Sequence, residues 1–290
     1  MIVEVGGGLR TYAAGGRDVV DGYAADEACS SGRGQVLAPW PNRIQDGSYE
    51  FEGQRHQLPI NETERRNAIH GLVRSESWRA GEHDASRVVM EYSLKPQSGY
   101  PFPLELRIEY ELAATGLSVL MTATNTGNER CPYGTGAHPY LTAGGATVDA
   151  VTLQVSARTV VLSDESGIPA RTEPVEGSEY DFREPRLIGT TRLDHAFTDL
   201  DRDNDGLARV HLTNPAGGAR LALWVDENYG YLMLFTGDPL PDVNRRSLAV
   251  EPMTCPPNAF RSGEDVIVLE PGQSTTSAWG ISLADEQGRI

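Results

Sequence analysis

The stretch "LELRIEYEL", residues 104–112, sets Leu104, Leu106, Ile108, Tyr110 and Leu112 against Glu105, Arg107, Glu109 and Glu111. Successive side chains of a strand face opposite sides, so this alternation marks a strand with one buried and one wet face. "LSVLMTATN" follows after the turn "AATG", predicting a hairpin, and "YEFEGQRHQL" repeats the form with Glu52-Gly53 at its turn. "RVVMEYSL", "TVDAVTLQV", "RTVVLSD", "ARVHLTN" and "ARLALWVD" are further short runs rich in β-branched residues. Gly, Asn, Asp and Pro punctuate them at intervals of about ten residues, the spacing of a sandwich or barrel. No long segment holds a helical period. The chain reads as all-β, and with no linker or break in composition it reads as one domain over residues 1–290.

A chain of 290 residues buries enough apolar surface to need no disulfide or metal for stability. The net charge of −16 and the lack of a basic run argue against nucleic acid and anionic membranes, which both require a positive footprint. Cys29, Cys131 and Cys255 are isolated thiols without CxxC spacing, which fits a reducing compartment. "MIVEVGGGLR" has neither a basic start nor an apolar run of signal-peptide type, and no segment is apolar for long enough to span a bilayer. The expectation is a cytoplasmic, soluble monomer or homodimer acting on a small molecule.

Several residues stand out chemically. His138 lies within "CPYGTGAHPYLTAGG", where small residues precede the imidazole and Pro139 and Tyr140 follow it. It is either a loop histidine or an accessible catalytic imidazole fixed by the proline. Glu251 ends the apolar run Leu248-Ala249-Val250 just before Pro252. A carboxylate there is costly to leave unpaired, and desolvation raises its pKa toward the range of a general base. A strand-end Glu reaching solvent is the plainer alternative. Asn42 and Arg43 follow "APWP", whose prolines restrict the backbone, so Arg43 either grips a carboxylate or hydroxyls or forms a surface ion pair. His70 in "NAIHGLV" fits a structural histidine or a site residue, and Asp194 beside His195 a turn cap or a hydroxyl acceptor. Neighbours on a strand face opposite ways, so at most one of Asp194 and His195 enters a given site.

Other signals are weaker. "DRDNDG" places Asp201, Asp203, Asp205 and Gly206 as in a calcium loop, but Leu212 stands where the bidentate Glu belongs, so it reads as a solvated loop. "VGGGLR" matches no nucleotide fingerprint and reads as a turn. "NET" at Asn61 fits a glycosylation sequon without a secretory context. The histidines show no HxH or HExxH spacing and no GxSxG elbow is present, so zinc and serine-hydrolase chemistry lack support.

Together, "PNRIQDGSYEFEGQRHQLPINE", "NAIHGLV", "GTGAHPYLT", "LDHAF" and "LAVEPMTCPPNAF", in that order, resemble the aldose 1-epimerase (galactose mutarotase) family. The resemblance runs from "GLRTYAAGGRDVVDGY" to "LEPGQSTTSAWGISL". It implies a large antiparallel β-sandwich of the supersandwich type, with His138 as general acid, Glu251 as general base, and Asn42, Arg43, His70, Tyr140 and Asp194 around the sugar. No cofactor or metal is implied. The implied reaction opens a hemiacetal: a base takes the C1 hydroxyl proton, an acid protonates the ring oxygen, and the free aldehyde turns before reclosing. Glu251 must then start ionised and His138 protonated, with Asp194 a candidate for favouring the imidazolium.

Two departures from the family pattern stand out. Met233 occupies a position where many galactose mutarotases place Gln, and Gly-Leu-Val follows His70 instead of a second glycine. The implied substrate is therefore an aldose of unspecified identity. A hexose-6-phosphate 1-epimerase drawing on Arg65, Arg66, Arg74, Arg245 or Arg246, and a catalytically silent sugar-binding module, are the competing readings.

Overall fold

The computed structural model describes residues 1–217, 219–241 and 243–284. Two large antiparallel sheets dominate. The nine-stranded sheet runs Arg186–Leu187, Thr152–Val155, Ala208–Thr213, Arg220–Val225, Ser274–Leu283, Gly116–Asn125, Leu104–Ala113, Arg87–Leu94 and Arg79–His83. Its centre is the hairpin expected from the alternating sequence, in register from Leu104 opposite Asn125 to Ala113 opposite Gly116. Leu104, Leu106, Ile108 and Tyr110 are buried, as are Val119, Met121 and Ala123 across the ladder. Gly116 closes the turn at φ +132°, and a Cβ there would lie 2.0 Å from the Ile281 carbonyl oxygen, so only glycine fits.

The ten-stranded sheet has Tyr12–Ala14, Arg17–Val20, Tyr140–Leu141, Leu248–Met253, Tyr231–Phe235, Asp194–Leu200, Ala157–Ser163 and Pro169–Pro174 in sequence across it. Gly136–Ala137 joins at Leu248–Met253 and carries Val36–Leu37 on its other side. Both sheets feed one continuous apolar cluster: Leu106, Ile108, Leu223 and Ile281 from the first share it with Leu162, Leu232, Leu234, Leu248 and Val250 from the second. The architecture is the large antiparallel β-sandwich that the alternating runs and the family resemblance imply.

Three two-stranded ribbons complete the described chain: Cys131–Tyr133 with Ile267–Leu269, Arg43–Gln45 with Asn67–Ile69, and Ser48–Phe51 with Gln54–Gln57. The last turns through Glu52 and Gly53, both at positive φ as a tight hairpin requires. "TVDAVTLQV" differs from its reading as one strand. Val148–Ala150 is a 3₁₀ turn, and the strand begins only at Thr152. Tertiary contacts override the β-propensity there: the Val148 amide donates to the Arg245 carbonyl at 2.7 Å, and Arg245 Nε donates to Asp149 Oδ1 at 2.6 Å. The one α-helix among the described residues is a single turn, Ala259–Ser262, directly after Pro256-Pro257-Asn258. None of the described helices is long and apolar enough to cross a membrane.

Candidate active site

The strand Leu248–Met253 is buried along its whole length, so its period of two is hidden in composition and visible only in what each residue touches. Leu248 and Val250 join the main apolar cluster, whereas Ala249 and Met253 join small clusters on the opposite face. Glu251 shares that second face by alternation. Across the ladder it opposes Met233, which in turn opposes Ala196. One rung along, Asp194 opposes Phe235, and Phe235 and Tyr140 each pair with Ala249 in register. Sheet register therefore puts Glu251, Met233, Asp194 and Tyr140 on one face. His195 points the other way, packed edge-on against Tyr180 with ring centres 4.9 Å apart.

His138 sits in the short connection between Gly136–Ala137 and Tyr140–Leu141. Its backbone is pinned on both sides: its amide donates to the Gln35 carbonyl at 3.1 Å, and its carbonyl accepts from the Gly34 amide at 2.8 Å. The imidazole stacks on Tyr140 at 5.0 Å and 15°. Gly32, at φ +72°, comes so close that a Cβ would lie 2.9 Å from His138 Cδ2. The room around the imidazole thus depends on a glycine a hundred residues upstream as well as on the small residues of its own loop.

His70 and Asn42 face each other on adjacent loops, both in the left-handed region at φ 62° and 52°. The His70 amide donates to the Asn42 carbonyl at 2.9 Å, locking the two loops together. Strained non-glycine backbone is held only where its surroundings over-determine it. Here the clamp extends further. Asn42 Oδ1 accepts from the Arg43 amide at 2.9 Å, the Asn258 amide donates to the Arg43 carbonyl at 2.6 Å, and Asn258 Oδ1 accepts from the Gln45 amide at 3.0 Å. The stiff Pro-Pro-Asn segment that follows Glu251 therefore also holds the Arg43 strand.

Arg43 donates through Nε and Nη2 to both oxygens of Glu62, at 2.9 Å for Nε to Oε2 and for Nη2 to Oε1. Asn67 Nδ2 adds a hydrogen bond to Glu62 Oε2 at 2.9 Å. Burial tends to raise the Glu62 carboxyl, but the hydrogen bond and charge of Arg43 outweigh it and hold the group below its usual value. Glu62 is a site residue that the sequence reading passed over, although it lies inside the quoted segment ending "LPINE". Its signal was only that an Arg fixed by prolines needs an acid.

Asn42, Arg43, His70, His138, Tyr140, Asp194 and Glu251 all line one cleft of about 880 Å³, together with Met233. That volume lies within the range of small-molecule sites. His138 Nε2 lies 3.3 Å from Glu251 Oε1, and the His70 ring meets the His138 ring edge-on at 5.3 Å. Glu251 Oε2 and the Nδ1 atoms of both histidines are buried without a hydrogen-bond partner. His70, His138 and Glu251 each bring a potential ligand atom to within 4.8 Å of the others, the one such grouping among the described residues. Two imidazoles and a carboxylate are also a donor set a transition metal accepts.

The protonation pattern departs from the one the implied reaction needs at its start. Burial, helped by the Asp194 charge, pushes the Glu251 carboxyl well above its normal value, against the pull of Arg43. Burial, helped by the charges of Arg74, Arg33 and Arg43, drives the His138 imidazole down to about 3. Burial in the cleft thus favours an uncharged pair, a carboxylic acid beside a neutral imidazole. The Asp194 charge is one of the causes that raise Glu251. The calcium-like loop is discharged locally: Arg209 Nη1 donates to Asp203 Oδ2 at 2.6 Å and to Asp205 Oδ1 at 3.1 Å.

The family model for aldose 1-epimerase matches residues 1–282. The uncharacterized protein YihR of Escherichia coli K12 is 38% identical over 273 residues, spanning 94% of this chain and 86% of that protein. Human galactose mutarotase is 25% identical over 212 residues, spanning 67% of this chain and 61% of that protein. In three dimensions the chain is similar to a GalM/aldose epimerase homologue from C. elegans, with a TM-score of 0.85 and 18% identity over 97% of this chain and 93% of the other.

Proposed function

The chain belongs to the aldose 1-epimerase family, and from that premise we propose that it interconverts the α and β anomers of an aldose, with Glu251 as base and His138 as acid. The observation that carries this reading is the 3.3 Å approach of His138 Nε2 to Glu251 Oε1 on the floor of the cleft. A hemiacetal carries its hydroxyl and ring oxygens on the same carbon, so the groups that exchange protons with them must themselves be neighbours.

The resting pair is uncharged, and a sugar entering the cleft brings hydroxyl donors to the carboxyl. Together with the Arg43 charge they stabilise the carboxylate, and the Glu251 proton passes to His138 Nε2. Glu251 then removes the proton from the C1 hydroxyl while His138 delivers its proton to the ring oxygen. The C1–ring oxygen bond breaks and a C1 carbonyl forms, with no net gain or loss of protons. The aldehyde rotates about C1–C2, and the reverse transfers close the ring on the other face of the carbonyl. His70 and Asn42, held by their backbone bond, and Arg43, held by Glu62, supply fixed donors that limit how the ring sits. Fixed dipoles cost no reorganisation during reaction.

Saturation-exchange NMR on freshly dissolved α-aldoses tests the reading directly. The wild-type protein is expected to accelerate anomer exchange for at least one aldose. Glu251→Gln and His138→Asn are each expected to lower that rate by roughly 10²–10⁴-fold while leaving the fold intact. Wild-type exchange rates in either variant remove that residue from the chemistry.

A further inference from the structure

The cleft is lined by Arg43, Arg65 and Arg74, and the three differ in what neutralises them. Arg43 is held by both oxygens of Glu62. Arg65 Nη1 lies 4.0 Å from the same carboxylate. Arg74 has no side-chain hydrogen bond and no ion pair among the described residues. The other arginines that could serve an anionic sugar are already spent: Arg66 faces Asp46 at 3.6 Å, Arg245 faces Asp149 and Asp238 at 2.6 and 3.0 Å, and Arg246 faces Asp21 at 3.0 Å. None of those lines the cleft.

Arg74 is also poorly placed for water to compensate it. Its side chain is only partly accessible, and burial lowers its pKa from the usual arginine value. Its charge reaches both imidazoles, lowering His70 and His138. Its main chain is fixed by Gln35, whose Nε2 donates to the Arg74 carbonyl at 2.9 Å. A half-buried guanidinium facing a ligand cleft without an acid carries a desolvation cost that a bound anion offsets. The acids of the cleft do not supply it. Glu62 is committed to Arg43, the charges of Asp194 and Glu251 act on Arg43, Asp194 also raises Glu251, and Glu64 is exposed. Met233, apolar and opposite Glu251 across the ladder, adds no hydroxyl-binding group to the cleft.

We infer that the substrate is an aldose bearing an anionic substituent — phosphate, sulfonate or carboxylate — which Arg74 binds while the C1 end lies at His138 and Glu251. Planar guanidinium donors match oxyanion geometry, and such charge-assisted bonds are the stronger class. This inference rests on the anomerase reading of the same cleft and narrows its substrate class.

The test compares glucose with glucose 6-phosphate, a glucose 6-sulfonate and glucuronate, by anomer-exchange NMR. At least one anion is expected to exceed glucose in kcat/KM by about 10–100-fold, and the ranking among them identifies the group. In Arg74→Gln that ratio is expected to collapse to within a few-fold, with Arg74→Lys retaining part of it, and in Arg66→Gln to persist. A wild type that prefers glucose, or a preference surviving Arg74→Gln, overturns the inference. Calorimetric binding of the same sugars to Glu251→Gln and to Glu251→Gln/Arg74→Gln separates the two proposals. Arg74-dependent binding without exchange in the wild type sinks the anomerase and leaves the anion site. Exchange without charge preference does the reverse.

Discussion

The two large sheets share one apolar cluster but treat their outer faces differently. In the nine-stranded sheet the face away from the core is wet. Glu105, Arg107 and Glu109 alternate with the buried leucines, and Thr122 and Thr124 meet Thr276 and Ser274 across the ladder at 3.1 and 2.8 Å. In the ten-stranded sheet the face away from the core is covered at its centre, and the strand Leu248–Met253 is buried on both sides. A carboxyl on the first sheet finds water or an arginine. On the second, Glu251 finds an imidazole on the wall of a cleft. On the sheet whose second face is dry, burial carries protonation far from its usual range, as it does at Glu251 and His138.

Truncation of the shared core should not distinguish the sheets by stability, but it should by activity. Leu106 and Leu248 are both fully buried, one from each sheet. Leu106→Ala and Leu248→Ala are each expected to cost about 2–5 kcal/mol by denaturant unfolding, because each leaves a cavity in the same cluster. Leu248 lies three residues from Glu251 on its strand and pairs with Leu141 beside Tyr140, so its loss loosens the site as well. Anomer exchange, measured well below the unfolding midpoint, should fall in Leu248→Ala and hold in Leu106→Ala. Equal effects on activity would break the claim that the two faces are functionally distinct.

Much of the first sheet is legible in the sequence, and the reason is solvent. A half-exposed strand must alternate, so "LELRIEYEL" declares its faces and its hairpin partner. The centre of the second sheet has no such contrast. "LAVEPM" is buried throughout, and nothing local says which residues face the cleft. What betrays the site instead is chemical exception. Glu251 in an apolar run and His138 among glycines stand out because their cost demands an explanation. Glu62 sits in polar surroundings where charge is ordinary, so pattern alone is silent about it, and Arg74 is only one of five arginines that pattern offers for an anion without ranking them. Whether an arginine is paired is a tertiary fact: Arg43 and Arg74 differ only in what the fold places beside them.

The same contrast predicts how stability tracks pH. The Glu251 pKa is raised by folding from 4.5, so the stability it contributes is complete below about pH 4.5 and is lost as pH climbs toward its folded value. Glu251→Gln stays uncharged throughout. The variant should therefore match the wild type near acid pH and become increasingly more stable toward neutrality, by melting-temperature difference. His138 runs the opposite way: folding lowers its pKa from 6.5 to about 3, so its contribution is present above 6.5 and lost as pH falls through that window. His138→Asn should gain on the wild type as the medium becomes acidic. A flat profile for Glu251→Gln would mean that its carboxyl is hydrated, and the comparison of faces would lose its physical basis.

The smallest expected effect lies on the wet face itself. Thr122 and Thr276 meet there by a 3.1 Å hydroxyl contact on neighbouring central strands of the nine-stranded sheet. Both hydroxyls are exposed to solvent, so removing one restores water to the other and leaves no buried orphan. Valine keeps the β-branched shape that suits a strand. Thr122→Val should change unfolding free energy by no more than about 0.5 kcal/mol and leave anomer exchange untouched. The substitution removes a polar group, as Glu251→Gln removes an ionisable one, from an outward sheet face of the same sandwich. If it altered exchange, the two faces would be coupled through the core, and dryness alone could not explain why the site occupies the ten-stranded sheet.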